Sequence, residues 1–311
     1  MEKAKIDIIS GFLGVGKTTF ANMLLHYYLN AGFRPVYIVN EFGETGLDAE
    51  IVRADGFEAV DIFGGCICCT LKDDIAVAIR EIMDSFSPTH IVFEPSGAFV
   101  FDNFFDMLKE PRIDGRCEIQ SVTTIVDSVN FAFSKVLYGS FLYNQIRNSP
   151  VILFSKLEKS GADLDELICD VKNINPDAYV ISKVWGDWGE SDFELLLGRQ
   201  QKEVHTTHRA RHHGRLQSVT AKPEMGFTQD GLERFIACCK SGAFGELCRV
   251  KGIVKLENRQ MLLNIALQDV AIGAFEGTAE PSLTFIGHTV DKKEIFDFLY
   301  NHNIIQGGNR A

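Results

Sequence analysis

Short, mostly apolar runs recur through the first two-thirds of the chain and alternate with stretches whose apolar residues return every three or four positions. The runs fall at residues 6–9, 36–39, 59–62, 91–93, 122–126, 151–154 and 179–181. Several are apolar at successive positions, the pattern of a strand covered on both faces. Between them, 71–86 and 164–174 are amphipathic with helical period. Residues 18–30 carry Phe20, Met23, Leu24 and Tyr27 at the same spacing, with Gly32 as a stop. Strand and helix in alternation predict a mostly parallel sheet with helices on both sides.

The alternation breaks near Gly198. Residues 198–215 hold Arg, Gln and His and little that is apolar, and they are expected to form a linker. Beyond it the order changes to a strand at 216–220, a helix at about 229–240, strands at 247–256, 261–267, 269–275 and 282–287, and a helix at 292–302. That order predicts a smaller α+β domain on an antiparallel sheet. The expected organisation is therefore an α/β P-loop domain over 1–197, a linker over 198–215 and an α+β domain over 216–311. At 311 residues a two-domain reading also suits the length.

The stretch that joins the first strand to the first helix carries chemistry. Gly11-Phe12-Leu13-Gly14-Val15-Gly16-Lys17-Thr18 fits G-x-x-x-x-G-K-[ST], a loop that cradles the phosphates of a nucleoside triphosphate. Glycines let successive backbone N–H groups turn onto the phosphate oxygens. Lys17 supplies charge at the β/γ bridge, the Thr18 hydroxyl can ligate Mg²⁺, and the helix N-terminus faces the same anion. Gly11, Gly14, Val15, Gly16, Lys17, Thr18 and Thr19 are the candidate phosphate contacts. Glu94 ends an apolar strand and is followed by Pro95-Ser96-Gly97, which makes it the candidate acid of the Mg²⁺ shell. With Lys17 and Thr18 it completes the proposed catalytic set.

Two further features follow strands. Residues 40–48, Asn-Glu-Phe-Gly-Glu-Thr-Gly-Leu-Asp, read as a loop near the phosphates, where a switch segment would sit. Gly64-Gly65-Cys66-Ile67-Cys68-Cys69 places three thiols within four residues on a Gly-rich turn. Cys66, Cys68 and Cys69 could converge on one soft cation, Zn²⁺ first, with Co²⁺ or Ni²⁺ as alternatives. Buried packing and a Cys66–Cys69 redox pair are the competing readings. Ser155-Lys156-Leu157-Glu158 stands where guanine-specific GTPases carry N-K-x-D. Ser155, Lys156 and Glu158 are the candidate base contacts, and the lost Asn amide and longer acid leave the choice of guanine over adenine open. His205, His208, His212 and His213 lie within nine residues, interrupted by Arg209 and Arg211, and fit either a loose metal-collecting loop or a polar linker.

Composition adds little beyond exclusions. Hydrophobic residues make up 46% and the net charge is −11, which argues against a broad nucleic-acid or anionic-membrane surface. The given sequence opens on no apolar leader and contains no apolar run of about 18 residues. A reducing cytoplasm is the expected setting for clustered thiols.

Taken together these motifs resemble the CobW-type metallochaperone GTPases, related to the nickel-handling HypB and UreG proteins. The segments at 11–19, 40–48, 64–71 and 94–99 carry the resemblance, together with Ile125-Val126-Asp127 and Gln145-Ile146. Residues 248–252 and 283–287 look like the family's C-terminal module. The resemblance implies GTP hydrolysis coupled to delivery of a transition metal held by Cys66, Cys68 and Cys69, with Thr18 on Mg²⁺ and Glu44 as an added oxygen ligand. The client it implies is a metalloprotein or a protein of cobalt–corrinoid assembly, and oligomerisation is left open. A small-molecule phosphotransferase and a non-catalytic metal buffer or sensor are the rival readings of the same residues.

Overall fold

The protein is described by a computed structural model covering residues 3–40, 49, 52–53, 55–61, 71–101, 115–199, 216–223, 226–257, 259–267, 269–275 and 279–301. These residues divide into two compact units, one ending at 199 and one beginning at 216. Of the expected linker at 198–215, Gly198 ends a helix and Arg199 caps it, while residues 200–215, with His205, His208, His212 and His213, lie outside the described residues. So do Glu44 and the turn that holds Cys66, Cys68 and Cys69.

In the first unit seven strands form one sheet. They are β1 (Ala4–Gly11), β2 (Pro35–Val39), β3 (Ala59–Asp61), β4 (His90–Glu94), β5 (Cys117–Asp127), β6 (Val151–Ser155) and β7 (Tyr179–Ile181), in the order β3-β2-β4-β1-β5-β6-β7. Every described pairing is parallel. From β1 the chain crosses past β4 to β2, whereas from β4 it crosses back past β1 to β5. These opposite departures open a crevice at the carboxyl ends of the central strands, the place where ligands bind in such sheets.

Among the described residues this unit carries the helices α1 (Lys17–Asn30), α2 (Leu71–Phe86), α3 (Phe131–Arg147), α4 (Leu164–Ile174) and α5 (Glu190–Gly198). Strand side chains alternate between faces. Ile6 and Ile8 of β1 therefore meet Ile75, Ile79 and Ile82 of α2 in one cluster, while Asp7 between them meets Tyr28 of α1. A second cluster joins Val126, Ile152 and Phe154 to Leu142 and Ile146 of α3 and to Leu167 and Val171 of α4. Residues 131–147 show little amphipathic contrast in the sequence because α3 buries Ser134, Asn144 and Gln145 beside Phe131, Tyr138 and Phe141 while exposing Phe133, Val136 and Leu137. Among the described residues no helix is long and apolar enough to cross a membrane.

The second unit is a five-stranded antiparallel sheet of β8 (Gln217–Ala221), β9 (Leu247–Leu256), β10 (Arg259–Ala266), β11 (Asp269–Ala274) and β12 (Ser282–Gly287), in the order β11-β10-β9-β12-β8. Helices α6 (Gln229–Ser241) and α7 (Lys292–Asn301) supply Leu232, Phe235, Ile295 and Leu299 to a core with Val250, Val254, Leu283 and Phe285. Local chemistry sets the limits of α6. The Thr228 hydroxyl accepts from Gly231 N at 3.1 Å, and Gly242 ends the helix at φ +83°.

A buried polar knot crosses the first sheet at Asp7. Tyr28 Oη donates to its carboxylate at 2.7 Å, Ser121 Oγ donates to the other oxygen, and Gln120 donates to Tyr28 at 2.8 Å. His90 stacks on the Tyr28 ring with centroids 4.0 Å apart. Burial pushes Asp7 up to about 6, although both hydroxyl donors and Lys5 oppose it. Burial, helped by Lys5, pulls His90 down to about 4. A carboxyl with a raised native pKa contributes most stability below its unfolded value of 3.8 and loses it as pH rises through 6. Replacing Asp7 by Asn should therefore change relative stability by about 2 kcal/mol between pH 7 and pH 4, the parent gaining on the variant as pH falls. Urea unfolding of both proteins at the two pH values measures this, and a constant difference would contradict the raised carboxyl.

Candidate functional site

The phosphate loop leaves the carboxyl end of β1, and its conformation depends on glycine at each turn. Gly11, Gly14 and Gly16 have φ of +146°, +75° and +101°. A Cβ on Gly11 would lie 2.6 Å from the Ile125 carbonyl oxygen. Gly16 is the left-handed N-cap of α1, and Phe20 N closes the first turn on its carbonyl at 3.0 Å. The other loop residues act as anchors. Phe12 stacks on Tyr138 of α3 at 4.5 Å and lies 6.4 Å from Phe141, and Leu13 and Val15 are buried. Tyr138 is also where α3 departs from helical geometry. On the other side the Trp185 ring approaches Gly16 closely enough that a Cβ there would touch it at 3.2 Å. Phe20 lies within 5.5 Å of both Trp185 and Trp188, so the start of α1 is held by aromatic contact as well.

Glu94 ends β4, the strand beside β1, and is 5% exposed. Its Oε1 accepts from Thr18 Oγ1 at 3.2 Å and lies 3.9 Å from Lys17 Nζ; its Oε2 accepts from Tyr37 Oη at 2.6 Å. Lys17, 4% exposed, also donates to the Phe12 carbonyl at 3.2 Å. The structure thus brings together Lys17, Thr18 and Glu94, the three residues singled out for catalysis. Thr18 and Glu94 offer adjacent hard oxygen donors, a set that suits Mg²⁺ rather than a soft metal. Thr19 faces solvent beside them.

The turn after β4 locks under the loop. Gln145 Nε2 donates to the carbonyls of Gly97 and Phe99 at 3.0 and 3.1 Å, and Asn144 Oδ1 accepts from Phe101 N at 3.0 Å. Gly97 sits so close to Leu13 that a Cβ would meet its backbone nitrogen at 2.6 Å.

At the ends of β5 and β6, Asp127 and Ser155 are register neighbours. Asp127 accepts from Val129 N, Asn130 N and Asn130 Nδ2 at 2.9–3.1 Å and from Lys156 Nζ at 2.7 Å. Lys156 takes φ +58°, which turns the chain into a short 3₁₀ segment at Leu157–Lys159 with Glu158 exposed. Ser155 is buried and its hydroxyl donates to the Val126 carbonyl at 3.4 Å. Lys156 and Glu158 thus flank one turn, while Ser155 Oγ is directed into the strand layer.

Asp127 and Gln145 enter the sequence reading only through a family resemblance, although a strand ending in an acid is a signal of its own at Asp127. Tyr37 gave none, since it reads as one more apolar residue of β2, and Trp185 lies in a turn that periodicity does not mark. Among the described residues no group of three or more His, Cys, Asp and Glu is arranged to hold a metal.

Gly97→Ala tests the contact beneath the loop. The added methyl meets backbone rather than a flexible side chain, so the loop must move. Nucleotide affinity is expected to fall at least tenfold, which titration with a fluorescent nucleotide would detect; unchanged affinity would show that the loop tolerates displacement there.

Comparison with known proteins agrees with this geometry. The profile of the CobW/HypB/UreG nucleotide-binding domain matches residues 5–182, and that of the cobalamin synthesis protein CobW C-terminal domain matches residues 216–301. The chain is 35% identical over 138 residues to the zinc chaperone CobW of Sinorhizobium sp., a match covering 42% of this chain and 38% of that protein. It is 28% identical over 249 residues to the zinc chaperone CobW of Pseudomonas aeruginosa, covering 68% and 64%. It thus spans less than two-thirds of either relative. The Zn(II)-bound YjiA GTPase from E. coli is similar with a TM-score of 0.49 at 18% identity, covering 97% of this chain and 99% of that one. With more than half of its length matched by the nucleotide-binding profile, the chain belongs to the CobW/HypB/UreG family.

Proposed function

We propose that the chain is a GTP-hydrolysing metallochaperone that binds a transition metal, Zn²⁺ foremost, and delivers it to a client metalloprotein. The observation that carries the nucleotide half is the contact of Glu94 with both Thr18 and Lys17 at the phosphate loop. The metal half draws on the Cys66, Cys68 and Cys69 sequence, and on relatives named as zinc chaperones and as zinc-regulated GTPase metalloprotein activators.

In this reading the loop N–H groups and Lys17 bind the β- and γ-phosphate oxygens. Glu94 fixes the rotamer of Thr18 and keeps Lys17 over the loop. Mg²⁺, when held by Thr18 with Glu94 behind it, would neutralise charge that develops on the bridging oxygen. Asp127 holds the Lys156 ammonium, so its stem is set to pack on a purine, and Glu158 is the acid available to guanine N1 and N2. Cys66, Cys68 and Cys69 act as thiolates toward the cargo metal, with Glu44 as an oxygen ligand that depends on the nucleotide. For nucleotide state to drive metal loading and release, the two states must differ in affinity by about 5.5 kcal/mol for a hundredfold change each way. Release of phosphate with no acceptor present separates this function from a phosphotransferase, and turnover itself separates it from a passive buffer.

Two substitutions test the halves separately. Glu94→Gln keeps the shape and one acceptor but removes the charge behind Thr18, and single-turnover GTP cleavage should slow 10–100-fold, as for loss of an outer-sphere metal partner. Cys68→Ala should leave that rate intact while Zn²⁺ affinity, measured by competition with a chromophoric chelator beside a non-hydrolysable GTP analogue, drops at least tenfold. Equal Zn²⁺ affinity with analogue, GDP and no nucleotide would rule out the coupling.

A further inference from the structure

Among the described residues the second unit offers a sheet edge with no strand on its outer side, beside two lysines that make no ion pair. Strand β8 pairs only with β12 among the described residues, which leaves its other side free. Natural sheets protect such edges with charges, proline or bulges. Gln217-Ser218-Val219-Thr220-Ala221 has none of the first two and pairs in unbroken register. Alongside it lies a groove of about 540 Å³ lined by Ser218, Val219, Thr220, Lys292, Lys293 and Phe296.

The lysines stand in the first turn of α7. A cation there opposes the helix dipole, so its presence is not accounted for by helix stability. Two acids share the turn: Asp291, whose Oδ1 accepts from Glu294 N at 3.1 Å as a helix cap, and Glu294 itself. Among the described residues neither ammonium is paired with a carboxylate. One and two turns further along, Phe296 and Tyr300 are exposed and stacked at 5.6 Å, and Tyr300 Oη is pinned to the Lys222 carbonyl at 2.6 Å just past the end of β8. Backbone donors and acceptors, positive charge and fixed aromatic surface therefore run along one groove.

We propose that β8 accepts an extended, acidic segment of a partner protein as a sixth strand, its carboxylates meeting Lys292 and Lys293 and an apolar side chain resting on Phe296. Five residues of edge span about 17 Å, room for a strand of similar length. Sheet-edge addition draws affinity from main-chain hydrogen bonds and selectivity from side chains at alternate positions. The carboxylates gain from charge-assisted hydrogen bonds with the ammonium groups. The surface goes beyond metal delivery and does not depend on it, because the readout is peptide binding and not hydrolysis or metal transfer.

The test uses the full chain and a fluorescein-labelled peptide of alternating Glu and Val. Saturable binding is expected by anisotropy, with at least tenfold loss in the Lys292→Glu/Lys293→Glu double variant and no binding of the matching Lys/Val peptide. Two versions N-methylated at odd or at even residues should differ, one losing at least tenfold and the other retaining affinity, since an added strand pairs through one side only. The double variant places acids at a helix N-terminus, which favours folding, and unchanged GTP cleavage would confirm an intact first unit. Absence of saturable binding up to millimolar peptide, equal binding of both methylated peptides, or full affinity in the double variant would overturn the proposal. A dimer of the parent in sedimentation that dissolves in the double variant would overturn it too, by identifying the occupant as a second copy.

Discussion

A carboxylate buried at the end of β4 must find partners, and this requirement organises the centre of the first unit. Glu94 meets it with Thr18, Lys17 and Tyr37, two residues from the start of α1 and one from β2. These partners come from α1 and β2, so the contact exists only when β1, β2 and β4 are adjacent and α1 begins at Lys17. Taking away one member of such a buried pair leaves a charge unmatched, at a cost of about 3–5 kcal/mol. Geometry useful for phosphate chemistry and geometry required by electrostatics are here the same geometry.

Around that centre the loop is held from outside by apolar contact rather than by further hydrogen bonds. Phe12 locks into α3 through Tyr138, Leu13 rests on Gly97, and Trp185 closes on Gly16. The glycines supply the turns and the large residues between them supply rigidity. A cradle that must present N–H groups to a highly charged ligand gains from such preorganisation, because little ordering remains to be done on binding. Asp127 plays the corresponding part for the base side, since it holds the turn before α3 through Asn130 and restrains Lys156 with the same carboxylate.

The second unit follows a different economy. Its core is one face of an antiparallel sheet under α6 and α7, and β9 and β12 approach so closely at Gly252 that a Cβ would collide with the Ser282 carbonyl. Lys292 and Lys293 line the groove beside β8, while Asp291 and Glu294 in the same turn balance their charge over the helix start as a whole. Two ammonium groups confined to one groove select among acidic partners without making the surface adhesive to nucleic acid at large.

By itself the sequence determined the alternation of strands and helices, the change to an antiparallel module after Gly198, and the phosphate loop with Lys17, Thr18 and Glu94. These are local properties: periodicity reports burial, and glycine spacing reports backbone conformation. Strand order, the junction of Glu94 with Tyr37, the Asp127–Lys156 pair and the approach of Trp185 to Gly16 were decided only by tertiary structure. Tyr37 and Glu94 stand 57 residues apart, and nothing in either neighbourhood encodes the other. Helix α3 was hidden for another reason: it exposes Phe133, Val136 and Leu137 and buries Asn144 and Gln145, so periodicity finds no polar face. Residue type fixes which chemistry a chain can perform, but parallel pairing between distant strands fixes which of those groups meet.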